Sequence, residues 1–271
     1  MSTAIEAVDV RRRNNITERG NPAGRVLVFA HGFGCSQETW RLVVPYLEAD
    51  YRILLFDHVG SGGSDLSAYD KGKYDSLHGY ANDVVEILAS LDLSDVVFVG
   101  HSVSSMIGVL AANREASRIG ALVLLGPSPR YVNTDDYIGG FEQPDIDDLL
   151  DSLDANYLGW AATMAPMIIG NPSRPELGDE LTGMFCSTDP TIARHFAHVT
   201  FLSDNRIDLA EVAVPTLVLQ SKDDIIAPLE VGEYVHASVL GSSFEVIDAY
   251  GHCAHLSEPA EVAGAIRVFL S

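Results

Sequence analysis

The sequence predicts an α/β fold, a mostly parallel sheet flanked by helices and interrupted by one helical insertion. Three observations carry this prediction. Short runs of Val, Leu, Ile and Phe recur without polar alternation, the pattern of strands buried on both faces. Helix-period segments lie between several of them. The strand pattern then vanishes between about residues 129 and 206 and resumes at Val214.

In chain order the strand-like runs are 25–30 (RVLVFA), 51–57 (YRILLFD), 95–100 (DVVFVG), 121–126 (ALVLLG), 215–220 (PTLVLQ) and 243–249 (SFEVIDA). The segment 80–91 sets Val84, Val85, Leu88 and Leu91 on one helical face. Segment 102–113 opens directly on a strand. Segment 258–270 has Ser257 to cap it and Pro259 in its first turn. Strand alternating with helix implies right-handed crossovers in an open sheet. The insertion reads as helices over 146–158, 160–169, 176–186 and 190–204. The expected organisation is a core of residues 1–128 and 207–271, with a cap at 129–206.

Composition narrows the function. The chain has 271 residues, 47% hydrophobic and 20% charged, as folded domains are. With 17 basic and 38 acidic residues its net charge is −21, which repels phosphate backbones and anionic lipid. Nucleic-acid and membrane roles are therefore not expected. Three scattered cysteines, Cys35, Cys186 and Cys253, suggest no disulfide framework and point to a reducing, cytoplasmic setting. The start, Met1 to Ala7, lacks the basic and apolar regions of a secretory leader.

The strongest local signal is Gly100-His101-Ser102-Val103-Ser104, which follows a strand and opens a helix. A strand, sharp turn and helix present the middle residue on strained, exposed backbone, so Ser102 is the candidate nucleophile. The pattern G-x-S-x-G is incomplete, because Ser104 stands in the last position. A serine nucleophile needs an acid and then a histidine later in the chain. Asp223 and Asp224 compete after the strand 215–220; Asp224, four residues before Pro228, has the usual spacing. His252 and His255 compete after the last strand, and Gly251-His252 is the more usual base position. A metal reading of His252, Cys253 and His255 lacks the carboxylate and helix of zincin spacing. The oxyanion donors expected are the backbone N–H groups of Val103 and of Phe33, in the loop His31-Gly32-Phe33-Gly34. If the cap roofs a pocket, its walls include Phe141, Trp160, Met164, Phe196 and Phe201, with Cys253 beside the base.

Other features have plainer readings. The glycine-rich stretch 57–64 lacks dinucleotide spacing and reads as a tight loop. The acidic run 145–154 lacks the glycine and glutamate of a calcium loop and reads as a solvated helix face. Arg11-Arg12-Arg13 reads as surface, and the sequon at Asn15 as idle. Nothing calls for a metal or cofactor.

Taken together, His31-Gly32-Phe33-Gly34, Asp57-x-x-Gly60-x-Gly62-x-Ser64-Asp65, Gly100-His101-Ser102-Val103, Asp224-Ile225-Ile226-Ala227-Pro228 and Gly251-His252-Cys253 resemble the α/β-hydrolase superfamily. Within it the chain is similar to the RsbQ-like stress-response regulators and to plant karrikin and strigolactone receptors. Gly126-Pro127-Ser128-Pro129, Gly139-Gly140-Phe141 and residues 185–190 extend the likeness through the insertion. At Ser104-Ser105-Met106 the elbow is more like the plant receptors. The resemblance implies a V-shaped lid of four helices over a hydrophobic pocket, a triad of Ser102, Asp224 and His252, and an oxyanion hole from Phe33 and Val103. It implies a serine hydrolase for a small hydrophobic ester or lactone. The alternative it implies is a ligand-dependent signalling regulator with a protein phosphatase as partner. A hydrolase fold without activity is a third reading.

Overall fold

The computed structural model describes residues 9–271. The start of the chain, read above as lacking a leader, lies outside them. One helical turn, α1 (Val10–Arg13), and a short strand, β1 (Thr17–Gly20), precede a regular alternation: β2 (Val26–Ala30), α2 (Val44–Leu47), β3 (Arg52–Phe56), α3 (Leu77–Ser90), β4 (Val96–His101), α4 (Val103–Arg114) and β5 (Ile119–Leu125). Four helices then follow: α5 (Gln143–Ala155), α6 (Tyr157–Ile169), α7 (Pro175–Ser187) and α8 (Pro190–Phe201). The sheet resumes with β6 (Thr216–Asp223), α9 (Leu229–Ser238), β7 (Ser243–Tyr250), α10 (Ala254–Ser257) and α11 (Pro259–Leu270).

The seven strands run in the order β1-β3-β2-β4-β5-β6-β7, and all pairs but β1 with β3 are parallel. The continuous apolar runs have a simple cause. Alternate residues of one strand enter opposite cores. Leu27 and Phe29 of β2 pack with Val97 and Val99 of β4 and with Val262 and Ile266 of α11. Val28 of β2 and Phe98 of β4 pack on the other face, with Ile87 of α3 and Ile107 of α4. A strand buried on both sides has no polar position to alternate with. The edge strand β1 (TERG) escaped the sequence reading because it is polar and mostly exposed, and an edge needs only one ladder of bonds.

The basic run is not all surface, which corrects the expectation for Arg13. Arg13 is buried, 3.3 Å from Asp83, and also pairs with Glu86. Asp83 in turn accepts from Lys73 at 2.6 Å and from the Tyr74 hydroxyl at 2.7 Å. Such buried charge persists because opposite charges and hydrogen-bond donors surround it. The glycine-rich stretch folds around Asp57, whose carboxylate accepts from Gln37 N, Asn15 Nδ2 and Gly63 N at 2.7, 2.7 and 2.8 Å. In the acidic run, Asp145 accepts from the Glu142 N–H at 2.9 Å, which closes the first turn of α5.

Candidate active site

Ser102 is the single residue between β4 and α4. Its backbone has φ +57° and ψ −125°, outside the regions L-residues favour, so the turn holds strain. The Ser102 N–H donates to the Leu125 carbonyl at 2.8 Å, which ties the elbow to β5. A methyl group on Gly100 would lie 2.4 Å from the Ser104 carbonyl oxygen, so glycine there lets α4 fold back on β4.

His252 follows β7 by two residues. Its Nε2 lies 2.7 Å from Ser102 Oγ, and its Nδ1 lies 2.7 Å from Asp224 Oδ2. A carboxylate only accepts, so Nδ1 carries the proton and Nε2 accepts from the serine hydroxyl. Asp224 Oδ1 accepts from the N–H groups of Ile226 and Ala227 at 2.8 and 3.0 Å, and Oδ2 also accepts from Gln220 Nε2 at 3.2 Å. Ser102, Asp224 and His252 are 6, 7 and 5% exposed, so bulk water does not compete for these bonds. Asp223 stands apart, exposed at the end of β6 opposite Tyr250. With both ring nitrogens engaged, His252 offers no free lone pair to a metal.

The loop after β2 borders Ser102. A methyl on Gly32 would lie 3.3 Å from Ser102 Cβ and 2.7 Å from His101 Nδ1. Gly32 O accepts from His31 Nδ1 at 2.8 Å and from Cys35 N at 3.3 Å. Val103 opens α4, so its N–H is among those a helix leaves without an internal partner.

Ser102 and His252 open on a cavity of about 40 Å³. Of the walls expected from sequence, Trp160, Met164, Phe201 and Cys253 line it. Phe141 and Phe196 do not, and this corrects the expectation. Phe196 turns into the core against Tyr80, ring centroids 4.5 Å apart, and Phe141 is half-buried in a small bridge beside Val132. Sequence reasoning missed Phe185 and Tyr131, which take wall positions. Phe185 packs edge-on to Phe33, centroids 5.9 Å apart. Burial pushes the Tyr131 phenol up to about 12, so it keeps its proton and can donate.

Behind His252 lies a group of buried histidines. His101 and His255 have ring centroids 4.3 Å apart, and with Cys253 they are the group of possible metal ligands among the described residues. His101 Nε2 donates to the His252 carbonyl at 3.0 Å. His255 Nε2 lies 2.7 Å from Thr39 Oγ1, and its ring packs on Trp40 at 4.7 Å. Burial drives His101 well below the usual imidazole range and His255 down to about 3, so both are neutral.

A sequence model described as the alpha/beta hydrolase family matches residues 27–265. Karrikin insensitive 2 receptor IA of Petunia hybrida is 39% identical over 236 residues, 87% of this chain and 86% of that protein. Strigolactone esterase D14 of Arabidopsis thaliana is 36% identical over 264 residues, 97% of this chain and 96% of that protein. Among solved structures, a hydrolase from Oleispira antarctica matches with a TM-score of 0.94 at 42% identity, covering 97% of this chain and 96% of that one. Fold, elbow and these relatives agree: the chain belongs to the alpha/beta hydrolase family.

Proposed function

We propose that the protein is a serine hydrolase that cleaves a small, mostly apolar ester or lactone through an acyl-enzyme on Ser102. One observation carries this reading: the unbroken row from Asp224 to His252 to Ser102, each link 2.7 Å, opening on an apolar cavity. His252 takes the Ser102 proton as Oγ attacks the carbonyl carbon. Asp224 holds the tautomer and stabilises the imidazolium. The N–H groups of Phe33 and Val103 receive the oxyanion, each worth about 10²–10³ in rate. The imidazolium then protonates the leaving alkoxide; in a lactone that alkoxide stays tethered to the acyl group. Water, activated by His252, releases the acid. Base catalysis of this kind contributes roughly 10²–10⁴-fold.

Residues 129–206 serve in this reading as the lid. Its support is that α5, α6, α7 and α8 each send a side chain to the cavity, Leu149, Met164, Phe185 and Phe201. The cavity is far below the roughly 300–1,000 Å³ of ligand pockets, so substrate enters by displacing part of that roof. Three free cysteines support a reducing, cytoplasmic setting, and no described helix is long and apolar enough to cross a membrane.

A second reading is favoured by the karrikin receptor among the relatives and by the closed roof. In it the same chemistry runs slowly or once, and the output is contact with a protein partner, such as the phosphatase that the RsbQ-like resemblance implies. Hydrolysis of p-nitrophenyl acetate by the wild type and by Ser102→Ala, with intact-mass measurement of acyl-serine, tests both. Equal rates in the two proteins and no adduct would sink the serine mechanism. An adduct that persists for hours would favour the second reading.

A further inference from the structure

We propose that His58 and Ser104 are positioning residues that lock the Gly32–Phe33 peptide, so that the Phe33 N–H is held as an oxyanion donor. The inference rests on the hydrolase reading above. Ser104 stands where the elbow pattern has its last glycine, and it is fully buried. Its hydroxyl donates to the His31 carbonyl at 2.5 Å. Having given its one proton there, Ser104 Oγ accepts from His58 Nε2–H at 2.7 Å. The His58 backbone N–H donates to His31 Nε2 at 3.1 Å, so that nitrogen holds a lone pair and the His31 proton sits on Nδ1. Nδ1–H then donates to the Gly32 carbonyl at 2.8 Å.

Every proton in this chain has one direction. His31 is held at its carbonyl by Ser104 and at its ring by His58, and it holds the oxygen of the next peptide. That peptide is planar and trans, so fixing the Gly32 oxygen fixes the Phe33 N–H on the opposite side. The Phe33 donor therefore has one orientation instead of two, in a loop that borders Ser102. No water can substitute, because His31, His58 and Ser104 are at most 1% exposed. Burial keeps both histidines below the usual imidazole range and hence neutral, each in a single tautomer. The His58 ring is wedged edge-on between Phe56 and Tyr80, with centroids at 5.2 and 5.6 Å.

The test compares Ser104→Ala, His58→Phe, the double variant and His58→Gln. Acylation and deacylation both pass through the oxyanion, so kcat for p-nitrophenyl acetate should fall about tenfold with KM within about twofold, part of the loss of a whole donor. Affinity for an aryl boronic acid, which forms a tetrahedral adduct on Ser102, should fall by the same factor. The double variant should be no worse than Ser104→Ala, because both act through one chain. In His58→Gln the amide N–H reaches the place of Nε2–H and should restore most of the rate. A fall in thermal midpoint with kcat and boronate affinity unchanged would overturn the inference and leave the pair a packing contact. If His58→Phe does not fold, Ser104→Gly carries the same expectation. A wild type that neither hydrolyses the ester nor reacts with a fluorophosphonate defeats the hydrolase reading, and this inference with it. An active, labelled wild type with unchanged variants defeats this inference alone.

Discussion

The backbone N–H of His252 donates to the carbonyl of Ile168 at 2.8 Å. The loop carrying the proposed base therefore hangs on the last turn of α6, in the insertion, as well as on its own strand. Gly251 makes the approach feasible: a methyl there would lie 2.0 Å from the Ile169 oxygen.

This contact predicts an asymmetric pair of glycine variants. Gly251 and Gly241 both have positive φ, +78° and +76°, but nothing lies within 4 Å of a methyl built on Gly241. Gly241→Ala should cost only backbone strain, about 1 kcal/mol. Gly251→Ala should cost at least twice that and remove most ester hydrolysis, since His252 must shift. Urea unfolding and p-nitrophenyl acetate rates check this; equal costs at the two sites would refute it.

The two aspartates after β6 should separate cleanly. In Asp224→Asn the Ile226 and Ala227 N–H groups hold the amide oxygen, so the NH2 faces His252 Nδ1, imposes the wrong tautomer and should lower kcat by up to about 10⁴. Asp223→Asn, exposed and away from the ring, should stay within about twofold. Steady-state kinetics of the two proteins decide, and the opposite order would move the acid by one position.

Acid should destabilise the fold well before the carboxylates titrate. His31, His58, His101 and His255 are buried, and burial holds each below the ordinary 6.5. Between pH 6.5 and their native values the unfolded chain binds protons that the native state refuses. Stability is complete above about pH 6.5 and falls as pH drops, with a slope approaching ~1.4 kcal/mol per pH unit for each histidine. Urea midpoints at pH 7.5 and 5.5 measure this, and an unchanged or rising midpoint at pH 5.5 would contradict it.

Asp83 should matter to stability and not to chemistry. Replacing it by Ala leaves the buried Arg13 with Glu86 as its one remaining carboxylate and removes the partner of the Tyr74 hydroxyl and the nearer carboxylate of Lys73. The expected loss is about 3–5 kcal/mol. Per folded molecule, turnover should be unchanged. Denaturant titration with active-site labelling of the folded fraction separates the two effects.

The central strands were legible because each is buried twice over and so is written in Val, Leu, Ile and Phe. The polar edge strand β1 carries no such mark. Ser102, Asp224 and His252 were readable as candidates because each sits at a strand end with a local turn signature. The walls were less readable. Phe196 and Phe201 lie on one helix and look alike in sequence, yet one faces Tyr80 and the other the cavity. Hydrophobicity marks a side chain for burial without saying which side of a helix adjoins empty space. Ser104 looked like an imperfect glycine, because its partners His31 and His58 lie 73 and 46 residues away.

The insertion leaves the sheet after β5 and returns at β6, and those strands are direct neighbours, with Leu125 beside Leu219. Both ends of the insertion thus attach to adjoining rungs, like a flap sewn along one seam. In the proposed lid role, residues of that flap can be exchanged to admit a different guest while the strands beneath keep their pairing, which would leave selectivity and chemistry free to diversify on separate parts of one polypeptide.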